Sequence, residues 1–233
     1  MLNNQKVTQL LEKSKYNFDD LCLIMEILRG EGGCPWDAEQ THESIRKNFI
    51  EETYEVIEAI DNNDVKLLKE ELGDVMLQVV FHTQMEKEKG NFDINDVSND
   101  VCQKLIHRHP HIFGDVTAKT TDEVLSNWEA IKNVEKSRET TYDKLSSIPP
   151  MLPSLMRASK VSKKSGEFKE INNLEIIANA QNIINKMSSS PNQINEEDMA
   201  ELIFLLSALS SKQDIDIEKA LYNKTNSYID TFK

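Results

Sequence analysis

Phe49-Ile50-Glu51-Glu52-Thr53-Tyr54-Glu55-Val56-Ile57-Glu58-Ala59-Ile60 carries two patterns at once. At about 100° per residue, Glu51, Glu52, Glu55 and Glu58 fall in one contiguous arc of a helix, opposite Phe49, Ile50, Tyr54, Ile57 and Ile60. The apolar positions repeat with the period of a helix and not of a strand, and the same period recurs along the chain. Upstream, Phe18, Leu21, Cys22, Met25 and Leu28 share a helix face that Gly30 ends. The turn Gly30-Glu31-Gly32-Gly33-Cys34-Pro35-Trp36-Asp37 follows, and Asp37 with Gln40 is the expected capping pair of the helix that carries the acids. Asp64 is expected to cap a third helix running to about Lys89, Asp93 or Asn95 to open a fourth, and Thr121 a fifth through Val134.

Residues 137–153 collect Ser, Thr, Pro149, Pro150 and Pro153, which break helix and read as a linker. Helical periodicity then resumes at 154–164, 173–187, 196–211 and 214–231. The expected architecture is all-α: a catalytic helical domain over 1–136, a linker over 137–153 and a helical repeat over 154–233. Within that repeat, Asp198-Met199-Ala200-Glu201-Leu202-Ile203-Phe204 echoes Glu71-Leu72-Gly73-Asp74-Val75-Met76-Leu77, as a diverged duplication does.

Composition narrows the function. Hydrophobic residues make up 39% and charged ones 29%, with only seven Gly and six Pro, which suits a folded helical protein and not a disordered one. A net charge of −13 argues against a broad electrostatic footprint on a nucleic acid polymer or an anionic membrane, so a phosphate ligand needs a local cation. Cys22, Cys34 and Cys102 are odd in number and widely spaced, which suggests neither a disulfide framework nor a thiolate metal site. There is no apolar stretch of membrane-spanning length and no signal-peptide core near Met1, and the expected location is the cytoplasm.

The acids carry the chemistry. No Lys or Arg occurs between Asn48 and Val65, so the carboxylates of the quoted helix lack the opposite-charge neighbours that usually steady an exposed face. On the next helix Glu71 and Asp74 stand one turn apart, flanked by Leu67, Val75 and Phe81. A single Glu-x-x-Glu is common on solvated helices. Two acid pairs on antiparallel neighbours, however, bring four carboxylates to one point in a bundle, where they repel unless a cation sits among them. Oxygen-only donors select hard cations, which favours Mg²⁺, with Mn²⁺ as a substitute. A di-iron site calls instead for Glu-x-x-His, and both pairs here end in an acid.

Lys104 and Arg108, at i and i+4, form a candidate clamp for phosphate oxygens, with solvated surface charges as the plain alternative. His107, His109 and His111 crowd a proline at a helix end, where a C-terminal capping role outweighs a metal cluster. Trp36 and Trp128 are each able to stack on a base, although a tryptophan in a small bundle is more often core.

Taken together, Gly33-Cys34-Pro35-Trp36-Asp37, Glu39-Gln40-Thr41-His42, Glu51-Glu52-Thr53-Tyr54-Glu55, Glu71-Leu72-Gly73-Asp74 and Arg108-His109-Pro110-His111-Ile112-Phe113 resemble the MazG family of nucleoside triphosphate pyrophosphohydrolases over most of residues 18–135. The resemblance implies an all-α homodimer in which Glu52, Glu55, Glu71 and Asp74 bind magnesium, Lys104 and Arg108 hold the phosphate chain, and Trp128 approaches the base. It also implies hydrolysis of a (d)NTP to (d)NMP and pyrophosphate, for which Glu51 is our candidate to align or deprotonate the attacking water. The alternatives are a base-specific dUTP or dCTP pyrophosphatase and a non-catalytic helical adaptor with a vestigial metal site.

From Leu152-Pro153-Ser154-Leu155-Met156-Arg157-Ala158 onward the chain also resembles the C-terminal repeat of two-domain members. Here it departs from them. Asn179-Ala180-Gln181-Asn182-Ile183 stands where a second Glu-Glu-x-x-Glu belongs, only Asp198 and Glu201 keep acids, and Ser227 and Thr231 take the Lys104 and Arg108 positions. No metal site is expected in this half, although in two-domain relatives the C-terminal repeat can be the active one.

Overall fold

The computed structural model describes residues 4–233, which are all-α, with no strand among the described residues. They form two compact units. The first ends at Val116 and contains α1 (Asn4–Leu11), α2 (Phe18–Arg29), α3 (Pro35–Glu39), α4 (Arg46–Asp61), α5 (Val65–Glu88), α6 (Ile94–Arg108) and α7 (Pro110–Phe113). The second spans Thr117–Lys233 and contains α8 (Thr121–Glu135), α9 (Thr141–Ser146), α10 (Ser154–Ser165), α11 (Glu167–Glu170), α12 (Asn173–Ser189), α13 (Glu196–Lys212) and α14 (Ile217–Asp230).

Local chemistry sets most boundaries. Asn17 and Asp20 bond each other's backbone N–H groups in a capping box that opens α2, and Asp93 and Asp96 do the same for α6. The Asp64 carboxylate accepts from the N–H groups of Lys66 and Leu67 and starts α5. The glycine turn after α2 is tight enough that a Cβ on Gly33 would collide with the Ile27 and Leu28 carbonyls.

The expected Asp37/Gln40 capping pair does not form. Pro35, already fixed at a helical φ, opens the short α3 instead. Gln40 becomes the cap at its C-terminal end and donates its amide to the Trp36 carbonyl at 2.8 Å. A Thr41–Ser44 turn intervenes, and α4 begins at Arg46 with no side-chain cap.

In the first unit α5 is the spine, packing against both α2 and α4. Met25, Ile45, Val80, Phe81 and Met85 form its core, with Leu21, Cys22 and Leu77 against them. Arg29 locks one end. Its guanidinium makes two 2.9 Å bonds to the Glu88 carboxylate, lies 5.4 Å from the Phe81 ring centre, and donates to the carbonyls of Asp37 and Gln40. On α4 the burial runs against simple amphipathicity. Ile50, Tyr54, Ile57 and Ile60 are exposed, whereas Glu52 is half-buried.

In the second unit α13 packs against both α10 and α12, and Ile176, Ala180 and Leu205 form the core of the α12–α13 contact. The division between units lies upstream of the 137–153 stretch, which places α8 and α9 in the second unit. That stretch includes α9, capped by Thr140, and the buried Ile148, an apolar anchor that the surrounding prolines conceal in the composition.

Candidate active site

Helices α4 and α5 are antiparallel neighbours joined by the short turn Asn62–Asp64, so Glu52 and Glu55 on one meet Glu71 and Asp74 on the other. Glu52, Glu55 and Glu71 each offer a carboxylate oxygen within 4.8 Å of the others. No other group of three or more His, Cys, Asp or Glu side chains is close enough to share an ion among the described residues. Asp74 stands outside this trio but adds its charge to the same spot.

The electrostatics are those of unrelieved like charge. Glu71 is 6% exposed, and its pKa is pushed up to about 7 by burial first, then by a hydrogen bond shared with Glu55 and by the charges of Glu55, Asp74 and Glu52. Glu52 is raised for the same reasons, with burial ahead of Asp74, Glu55 and Glu51. The Glu71 Oε2 atom is buried without a hydrogen-bond partner. Such an atom is costly to bury unless something positive or a donor meets it. The donor set is all oxygen, carboxylate-rich and only partly enclosed. It fits a hard divalent cation that keeps some of its waters.

A model of the MazG nucleotide pyrophosphohydrolase domain matches residues 40–113, which hold all four acids. A Thermotoga maritima protein named nucleoside triphosphate pyrophosphohydrolase/pyrophosphatase MazG is 38% identical over 220 residues, covering 93% of this chain and 84% of its own length. The nucleoside triphosphate pyrophosphohydrolase of Escherichia coli K12 is 38% identical over 222 residues, covering 87% of this chain and 82% of its own. The chain belongs to the MazG family. It is thereby an enzyme of the hydrolases that act on acid anhydrides. The uncharacterized protein YabN of Bacillus subtilis is 45% identical over 153 residues, 65% of this chain and 31% of that protein.

The other sequence-chosen residues are distributed as follows. Lys104 and Arg108 lie one turn apart on α6, within the MazG match, but in unlike environments: Lys104 is exposed and Arg108 only 6% exposed. Glu51 is exposed beside Glu52. Trp128 is half-buried on α8, in the second unit and beyond the MazG match, and Trp36 is exposed on α3. His109 caps α6, and its Nδ1–H donates to the Leu105 carbonyl at 2.6 Å, the local role that the crowded histidines suggest.

Sequence reasoning missed a second polar cluster in the first unit. His42 and His82 stack with ring centres 5.0 Å apart and Nδ1 atoms 2.7 Å apart. His42 Nε2 lies 2.6 Å from Glu86, whose carboxylate also accepts from Lys89 and Asn91 and is thereby held down at about 2. His82 is shifted down by burial and by His42. The pair lines a cleft of roughly 480 Å³ with Arg46, Phe49, Val79 and Phe92. Forty residues separate the two histidines, so no spacing pattern announces them.

In the second unit the contact between α12 and α13 is apolar. Ala180 is buried against Ile176 and Leu205, Ile183 and Leu202 pack on them, and Asp198 is bonded to Lys186 at 2.7 Å and to Asn195 at 3.0 Å.

Proposed function

We propose that this chain hydrolyses nucleoside triphosphates, (d)NTP to (d)NMP and pyrophosphate, using magnesium held by Glu52, Glu55, Glu71 and Asp74, with manganese as a substitute. The observation that carries the reading is the buried, partnerless Glu71 Oε2 among three further carboxylates. Bound there, the cation supplies charge neutralisation of the triphosphate and a more acidic water.

The chain's own groups do the rest. Glu51, exposed at the edge of the cluster, takes a proton from the attacking water. Lys104 and Arg108 bind the charge that departs with pyrophosphate. Trp128 stacks on the base. Residues 1–136 act as the catalytic domain and 154–233 as a degenerate repeat, which leaves one working site per subunit. The exposed apolar stripe Ile50, Tyr54 and Ile57 on α4 supports a homodimer, since such a surface is usually covered. A cytoplasmic location fits free nucleotides as substrates, and no helix among the described residues is long and apolar enough to cross a membrane.

The test is to incubate the protein with Mg²⁺ and a panel of triphosphates and to identify the products. Monophosphate plus pyrophosphate is expected, and Glu52→Gln and Asp74→Asn should abolish it with the fold intact. Release of diphosphate plus phosphate refutes the bond assignment, and unchanged turnover in either variant refutes the site.

A further inference from the structure

Gln78 extends the acidic stripe of α5 by one turn. It follows Glu71 by seven residues and Asp74 by four, which on an α-helix places it about 20° from the first and about 40° from the second. Long side chains in a helix lean back over the preceding turn, so its amide leans towards the level of Asp74. The residue is only 7% exposed, and its Oε1 is buried without a hydrogen-bond partner. Two orphaned acceptors, Glu71 Oε2 and Gln78 Oε1, thus lie on one strip of one helix. A buried amide oxygen left open costs free energy unless a donor visits it, and a strip of acceptors alone suits water.

Resting on the pyrophosphohydrolase reading above, we propose that Gln78 orients the attacking water: its Oε1 accepts one O–H, and Glu51 takes the other proton. The water oxygen forms a bond to the α-phosphorus while the α–β bridging P–O bond breaks, and its electron pair leaves with pyrophosphate. One water proton passes to Glu51 and the other stays on the monophosphate. The neutral amide adds no charge to a site already crowded with it, so it fixes the water without opposing the triphosphate.

The test compares wild type with Gln78→Leu, Gln78→Glu and Glu52→Gln in two measurements, steady-state kinetics with Mg²⁺ and melting of the metal-free protein. For Gln78→Leu, kcat should fall roughly 10- to 100-fold, the scale of one hydrogen bond to a charged reacting group, with KM changed less than about twofold. Its metal-free melting temperature should stay level or rise, because an orphaned acceptor has gone. Gln78→Glu keeps an acceptor at the same reach but adds the charge the amide avoids, so kcat should stay within roughly tenfold of wild type while KM for the triphosphate rises, and it decides the matter if the leucine variant does not fold. An unchanged kcat in Gln78→Leu, or a kcat loss matched by a drop in metal-free melting temperature, overturns the role of Gln78. If Glu52→Gln is inactive in that case, the function proposed above still stands. A wild-type chain that releases no pyrophosphate, or an active Glu52→Gln, overturns both.

Discussion

Two helix pairs in this chain solve the same packing problem in opposite ways. Between α12 and α13, Ala180, Ile183, Leu202 and Leu205 fill the contact with apolar atoms, and Asp198 is matched to Lys186 and Asn195. Between α4 and α5, Glu52 and the buried Glu71 occupy the contact, Glu71 is hydrogen-bonded only to another acid, Glu55, and its Oε2 has no partner. The first arrangement gains stability from burial, at about 25 cal/mol per Å² of apolar surface. The second gives that up and adds repulsion, which makes sense only if the contact is completed by a ligand. The difference supports the proposal that the acidic contact binds a cation while the apolar one serves packing.

The largest expected effect comes from neutralising the centre of the acidic pair. Glu71→Gln should lower pyrophosphate release at least roughly a thousandfold, since it removes an ionised donor from the cation that stabilises the reacting charge. The metal-free protein should melt no earlier than wild type, because the substitution also removes the source of repulsion. A Glu71→Gln protein that turns over normally would sink the contrast between the pairs.

Ala180→Glu probes the other pair by putting a carboxylate where Glu52 stands in the first. Here the neighbours are Ile176 and Leu205, so the new charge is buried without a partner and the site is overpacked. A loss of roughly 3 kcal/mol or more is expected, read as an early thermal transition of the second unit. If the variant keeps its stability and gains a Mg²⁺-dependent rise in melting temperature, the apolar pair is a latent metal site.

How much of this contrast is legible in the sequence follows from where each signal lies. Helix α2 announces itself through apolar residues at helical spacing, α5 and α6 also through the caps Asp64 and Asp93, and the all-α class with them. Glu52, Glu55, Glu71 and Asp74 are legible as pairs because each pair repeats within one turn, and Gln78 could have been added on the same spacing. The His42–His82–Glu86 cluster is not legible, since only tertiary packing brings residue 42 to residue 82. The capping role expected for Asp37 and Gln40 fails because Pro35 starts its own short helix. In 137–153 the three prolines dominate the composition, and nothing in that stretch announces that Ile148 is buried.

Acidity offers a subtler test of the first pair. In the metal-free protein the folded-state pKa of Glu71, about 7, lies above its unfolded value of 4.5. Below pH 4.5 both states hold the proton and the group has no effect. As pH rises from 4.5 to about 7 the unfolded state releases its proton first, so metal-free stability should fall across that window and level off above it. Mg²⁺ displaces the same proton, so the melting shift it produces should grow over the same range. Glu71→Gln should flatten both trends. A metal-free melting temperature that climbs steadily from pH 4.5 to 7 in wild type, with the same slope in the variant, would show that Glu71 does not carry this strain.

The smallest effects belong to the remaining acids of the second pair. Asp198 holds an exposed lysine and the Asn195 amide at the start of α13, and an ion pair to an exposed Lys186 is worth less than about 1 kcal/mol. Asp198→Asn should therefore shift the melting of the second unit by only a few degrees, and Glu201→Gln, on an exposed position, by less. Neither should alter pyrophosphate release, because the Asp198 carboxylate already has its cation in Lys186 and faces no second acid pair across α12. The informative combination is the double variant Asp198→Asn/Glu201→Gln assayed beside Glu71→Gln. If both lose activity to the same degree, the two helix pairs act together in catalysis and the reading of the second as a packing element fails.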